Sequence, residues 1–285
     1  MSNLRVVIIT GLSGAGRRAA SHTMEDLGWY VVDNLPPMML VNLCMSAPKL
    51  GITKLAVGLD VRTRDLFGQL PGANSQLEAN DIKPEVLFLE ASDDVIVRRQ
   101  ESSRRPLPLQ GDGRLLDGIT KERRMLSTLR ASADLVIDTS NLTVRQLAER
   151  VTHAFTGDES GDLRVAVMSF GFKHGLPIDA DFVFDIRFLP NPHWVPHLRA
   201  KTGLSDEVSE YVLNQDGATQ YLDKVQSLIE LVCDGYVREG KRHVLVAVGC
   251  TGGKHRSVAV AENLGARFRA ADMSAVTFHR DLGKE

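Results

Sequence analysis

Long apolar runs are missing from this sequence. No stretch approaches the roughly 18 consecutive apolar residues of a membrane span, so no membrane partner is expected. Cysteine is scarce. Cys44, Cys233 and Cys250 make an odd set without CxxC spacing, which argues against a disulfide framework or a paired-cysteine metal site. Charge of one sign is also missing. With 34 Lys+Arg against 36 Asp+Glu and a formal net charge of -2, no global field draws the chain to nucleic acid or an anionic surface. Any RNA contact has to be a local basic patch. Internal repeats and low-complexity tracts are absent as well. The opening MSNLRVVIITGLSGAG has one early basic residue, and its short apolar run leads straight into glycines. It reads as a buried first strand and not a signal peptide, so the expected location is the cytoplasm.

What is present is ordinary globular material: 285 residues, 43% hydrophobic and 25% charged, a length that suggests about two domains. Apolar runs of strand length at 6–10, 30–32, 54–59, 86–90 and 135–137 alternate with helical patterns at 17–27, 95–103 and 143–155. That alternation predicts an α/β fold with a parallel sheet. The polar stretch TGDESGD gives a boundary, dividing the chain into 1–156 and 157–285. Beyond it the pattern resumes, with strands at 163–170, 182–187 and 243–249 and helices at 218–239 and 257–270. Residues 100–116 are rich in arginine and proline and read as a mobile segment.

The first strand runs into Gly11, Leu12, Ser13, Gly14, Ala15, Gly16, Arg17 and Arg18. This is the spacing of G-x-x-x-x-G-K-[ST] with the last two positions changed. Its glycines let backbone N–H groups converge on phosphate oxygens at a helix N-terminus. Arg17 keeps the charge of the usual lysine on a bulkier planar head. Arg18 cannot replace the hydroxyl that ligates Mg²⁺, and Ser21 lies nearly a turn further on. Binding of nucleotide phosphates is therefore expected, and hydrolysis is compromised. A glycine-rich turn without a ligand is the bland alternative. Asp33, Asp60, Arg62 and Glu90 end strands where ligand-facing residues sit, Glu90 at the position of a Walker-B carboxylate. Arg98, Arg99, Arg104 and Arg105 could clamp phosphates or simply form a solvated face.

A second strand–loop–helix cradle follows VLVAVG: Cys250, Thr251, Gly252, Gly253, Lys254, His255, Arg256 and Ser257. Backbone amides, an arginine fork and a helix N-terminus all favour an anion there. The spacing also matches the loop of cysteine phosphatases, with Cys250 as nucleophile and Asp179 or Asp181 as general acid. Against that, Gly249 stands where a histidine is common. His193, in LPNPHW, could add a donor.

Together GLSGAGRR, DNLPP, LDVR, FLEASDD, SFGFKHGLPIDADFVFDIRFLPNPHW and VGCTGGKHRS resemble the RapZ/YvcJ family of bacterial P-loop proteins, over essentially the whole chain. The resemblance implies an N-terminal P-loop NTPase domain of kinase-like type that binds ATP and GTP. It also implies a C-terminal α/β domain with a phosphofructokinase-like subfold. Residues 11–18 would be the ATP segment, and Asp60, Val61, Arg62 and Thr63 the GTP segment. His193, Thr251, Gly252, His255 and Arg256 would line a pocket for a phosphorylated amino sugar. RNA binding by the C-terminal domain and a homo-oligomer are implied too. The basic C-terminal tail of the family is diluted here, since His279, Arg280 and Lys284 stand beside Asp281 and Glu285. Three readings stay open: a nucleotide-binding regulatory protein with doubtful ATPase or GTPase activity, an RNA-binding adapter without catalysis, and a cysteine-dependent sugar-phosphate phosphatase. The sequence assigns no catalytic residue and no metal site.

Overall fold

The computed structural model describes residues 4–59, 70–101, 113–156 and 163–284. It divides into two compact units, Met1–Gly157 and Asp158–Glu285.

In the first unit, β1 (Arg5–Gly11) leads to α1 (Arg17–Asp26), β2 (Tyr30–Val32), α2 (Leu40–Ser46), β3 (Lys54–Gly58) and α3 (Leu70–Glu78). Then come β4 (Glu85–Glu90), α4 (Asp93–Glu101), α5 (Leu115–Ala131), β5 (Leu135–Asp138) and α6 (Val144–Phe155). The five strands form one sheet of order β2-β3-β1-β4-β5, every pairing parallel. Both faces are covered, which is why β1 and β4 are continuous apolar runs rather than alternating ones. One face packs Val7, Ile9, Met24 and Leu147, and the other Val6, Ile8, Leu40 and Leu77. β1 lies centrally between β3 and β4, and the chain crosses it in passing from β3 to β4, so the crevice at its C-terminal end is where such sheets place ligands. Thr143 caps α6 reciprocally with Gln146.

The second unit contains β6 (Arg164–Gly171), β7 (Phe182–Asp185), α7 (Asp206–Leu213), α8 (Ala218–Glu239), β8 (His243–Cys250), α9 (Arg256–Ala270) and β9 (Ser274–His279). Its sheet has the order β7-β8-β6-β9, again parallel throughout. β8 is buried along its whole length. The fold is thus α/β, with two parallel sheets in two units. Cys44 and Cys233 are core thiols, each pushed up to about 11 by burial.

Several elements depart from the sequence expectation. α2, α3, α5, α7 and β9 are additional, and residues 115–116, at the end of the arginine- and proline-rich segment, open α5, while 102–112 lie outside the described residues. The C-terminal residues are not a tail either. Residues 274–279 form an edge strand of the second sheet, and Arg280 and Asp281 beyond it are buried.

Candidate functional site

The first glycine loop joins β1 to α1. Gly11 has φ 136°, and a Cβ there would lie 2.0 Å from the Leu89 carbonyl oxygen, so only glycine lets β1 turn this close to β4. The loop is braced from behind by groups that sequence spacing does not show. Glu122, buried on α5, accepts from the Ser13 N–H at 2.9 Å and from its hydroxyl at 2.8 Å. Thr139, after β5, has its hydroxyl 3.0 Å from the Ala15 carbonyl oxygen. Arg99 donates to the Gly14 carbonyl at 3.1 Å and to the Thr139 carbonyl at 2.7 Å. Arg99 is therefore a brace and not a free phosphate clamp. Arg98 pairs with Asp94 on the surface, and Arg104 and Arg105 lie outside the described residues.

The two altered positions behave differently. Arg17 donates to the Leu59 carbonyl at 2.6 Å, which ties its head to the end of β3. Arg18 is exposed. The amides of the first turn of α1 follow the loop, where a helix has no internal acceptors and its dipole favours an anion. Gly11, Gly14 and Gly16 all adopt positive φ, so the loop keeps a glycine-dependent backbone up to the start of α1.

The residues here do not fit a conventional Mg²⁺ site. Arg18 stands at the hydroxyl position, and the Ser21 hydroxyl donates to Asp33 at 3.3 Å. The Glu90 carboxylate is buried and held bidentately by Arg130, at 2.6 and 2.8 Å. Arg123 adds a second cation at 3.8 Å. That occupancy replaces the metal-binding role expected of Glu90. Among the described residues no cluster of His, Cys, Asp and Glu could hold a metal ion. Asp60, Val61, Arg62 and Thr63 lie outside the described residues.

In the second unit a pocket of about 680 Å³ opens at the C-terminal ends of the strands. It gathers His193, Thr251, Gly252, His255 and Arg256, all expected from sequence, with Cys250 and Lys254. Lys173, Asn191, Trp194 and Arg199 also line it. Among the described residues no acidic side chain lines it.

Arg256 is the pivotal group. The first residue of α9, it is only 5% exposed. One terminal nitrogen donates to the Arg187 and Leu189 carbonyls at 2.9 and 2.7 Å. The other reaches the Thr251 hydroxyl at 3.3 Å. Its Nε is buried with no partner. A buried guanidinium satisfied mainly by neutral oxygens keeps its positive charge beside the pocket, which favours an anion there. Asp185 feels its charge, although the Asp185 carboxyl is held below its usual value first by the hydrogen bond from Arg187. The His255 ring meets the Arg199 carbonyl through Nε2 at 3.2 Å, and its centroid lies 6.4 Å from that of His193. Trp194 is 74% exposed beside them, an apolar plate on the pocket wall.

Cys250 is buried in this loop. Its sulfur lies 3.3 Å from the Gly253 N–H and 3.1 Å from the Ser257 hydroxyl. Of the two candidate general acids, Asp179 and Asp181, the second is placed away from the loop. Asp181 precedes β7 at the opposite end of the sheet, where it holds Lys241 and accepts from the Leu245 N–H. Basic residues of the second unit outside the pocket are largely engaged. Arg267 pairs with Asp223, Arg269 donates to the Ala275 carbonyl, and Arg280 is buried against Asp281.

The RapZ-like N-terminal domain family matches residues 4–159, and the RapZ C-terminal domain family matches residues 163–283. The chain belongs to the RapZ-like family. Its relatives include a nucleotide-binding protein of Cutibacterium acnes, 60% identical over 281 residues, covering 99% of this chain and 97% of that one. A nucleotide-binding protein of Streptomyces coelicolor is 55% identical and covers 98% and 94%. One from Mycobacterium avium is 54% identical and covers 100% and 97%. This chain shares its family with these three relatives, each of which is named a nucleotide-binding protein. Among solved structures it is similar to the shikimate kinase of Bacteroides thetaiotaomicron, with 15% identity, TM-score 0.37, and coverage of 52% and 96%. That likeness is too slight to assign an activity. No helix among the described residues is long and apolar enough to cross a membrane.

Signals for the missed groups differ in kind. Glu122 was legible in principle, since it falls in the buried stripe of Ile119 and Leu126. Lys173 and Arg199 reach the RapZ-like pocket through long-range topology alone.

Proposed function

We propose that this RapZ-like protein is a nucleotide-binding regulatory protein with two separate phosphate sites. In the first unit, Gly11, Leu12, Ser13, Gly14, Ala15, Gly16, Arg17 and Arg18 cradle the phosphates of ATP or GTP. Hydrolysis there is weak, because Arg17 is tied to Leu59 and no hydroxyl stands at position 18. The GTP role of Asp60, Val61, Arg62 and Thr63 rests on the family likeness. In the second unit, His193, Thr251, Gly252, His255 and Arg256 take a phosphorylated amino sugar. Phosphate meets Arg256 and the start of α9, and the sugar ring lies against Trp194. That site senses the metabolite and needs no catalysis.

The observation that supports this reading best is the buried guanidinium of Arg256, held by neutral oxygens, in a pocket that no acidic side chain lines among the described residues. Titration calorimetry with glucosamine 6-phosphate and with unphosphorylated glucosamine tests it. The phosphorylated sugar should bind saturably and the free sugar at least about tenfold more weakly, the loss of one charge-assisted contact. Equal affinities, or no binding of either, would overturn it.

A further inference from the structure

We propose that Arg280 and Asp281 are a positioning pair for the anion loop of the second unit, so that the end of the chain sets how well that loop takes a phosphate. This rests on the reading of the loop as a phosphate site. Asp281 is fully buried and Arg280 only 5% exposed. Their carboxylate and guanidinium meet at 2.7 to 3.1 Å through three contacts. A charged pair this deep adds little net stability over apolar packing, but it demands one geometry.

What the pair holds is the backbone behind the pocket. Asp281 Oδ2 accepts from the Gly171 N–H at 2.8 Å. Arg280 donates to the Gly175 carbonyl at 2.7 Å. Gly171 pairs in register with Cys250, and a Cβ on Gly171 would lie 2.5 Å from the Gly252 carbonyl carbon. A Cβ on Gly253 would lie 3.0 Å from that of Asp281. Three chain segments are thus stacked backbone against backbone: the end of β6, the anion loop, and the residues after β9. The contact continues to the pocket wall, where the Lys173 N–H donates to the Thr251 carbonyl at 3.1 Å. Thr251, Gly252 and Lys173 all line the cavity. Burial alone would raise the Asp281 carboxyl, but hydrogen bonds from Arg280 and Gly171, with the charges of Arg280 and Lys284, hold it below its usual value. It is therefore a fixed negative group at neutral pH. Lys284, at 3.2 Å from Oδ1 and 31% exposed, is the outer contact of the pair.

The test uses the full chain with Asp281→Asn, which keeps one acceptor and removes the charge, and Lys284→Ala, which leaves the core intact. Hydrogen exchange is followed without ligand in peptides covering 169–175 and 251–256, with the helix Ala218–Glu239 as reference. Glucosamine 6-phosphate affinity is then measured by calorimetry. Losing a charged acceptor should speed exchange in both segments, and weaken affinity, by about tenfold or more for Asp281→Asn. The effect should be about two- to threefold for the partly exposed Lys284→Ala. The helix should stay unchanged. Exchange within about twofold of the parent in both segments of Asp281→Asn overturns the proposal. So does faster exchange spread evenly over the unit, which marks a merely structural role. If Asp281→Asn does not fold, unchanged exchange in Lys284→Ala overturns it. If the parent binds no sugar phosphate, the phosphate reading fails, and the exchange result alone still decides the positioning role.

Discussion

Replacing Glu122 by Ala asks what holds the first glycine loop in shape. Two donors of Ser13 end on Oε1 of this buried carboxylate, and Ser13 is itself buried. Truncation leaves both donors without that acceptor. Each bond to a charged acceptor is worth about 1.5–3 kcal/mol, so a loss of about 3–4 kcal/mol after partial relaxation is expected. Glu122→Gln keeps a carbonyl oxygen and should lose about half of that. Urea unfolding reads the change through Trp29, which is buried in the first unit, with Trp194→Phe removing the exposed second indole. At a slope of about 2 kcal/mol per molar, the midpoint for Glu122→Ala should fall by about 1.5–2 M. ATP affinity should fall with it, because the cradle is no longer preformed. A midpoint within about 0.4 M of the parent, with the Gln variant no better than the Ala variant, would refute the bracing role.

Further outcomes follow from the same contacts. Arg17→Lys with Arg18→Ser frees a compact ammonium from Leu59 and restores the hydroxyl, so Mg²⁺-dependent turnover should rise by about tenfold or more in a phosphate-release assay; unchanged turnover places the defect elsewhere. Arg256→Lys loses the planar fork, so glucosamine 6-phosphate affinity should drop about tenfold or more in calorimetry while ATP affinity is unchanged. Burial pushes the His279 imidazole below its ordinary 6.5, against the opposing pull of Glu262, so the folded unit prefers it neutral. Its contribution is complete above pH 6.5 and is lost as pH falls through the lower folded value. His279→Gln should flatten the acid-side decline of the unfolding midpoint; an identical decline in both proteins contradicts the assignment. Cys250→Ser should leave any sugar-phosphatase activity unchanged, and an activity abolished by that substitution would revive the nucleophile reading.

The parallel strands were legible because burial on both faces writes them as continuous apolar runs, VVIIT and VLVAVG among them. The glycine loops were legible because close backbone approach admits no side chain at Gly11 or Gly253. α5 was not, since its charged residues hide a narrow buried stripe in which Glu122 takes an apolar position. β9 was not either. Its mostly half-buried residues give an edge strand a weak pattern, and the burial of Arg280 and Asp281 depends on the fold closing around them. Glu90 shows the limit from the other side. Its place at the end of β4 marks a ligand-facing carboxylate, yet Arg130, 40 residues away, fills that role.

The central claim is that a phosphate cradle without its lysine and hydroxyl still binds nucleotide. Equilibrium dialysis of the full chain with labelled ATP and GTP, with and without Mg²⁺, tests it most directly. Saturable binding that changes by less than about tenfold on adding Mg²⁺ is predicted, because the usual metal ligand is Arg18. No saturable binding of either nucleotide, or binding strictly dependent on Mg²⁺, would contradict it.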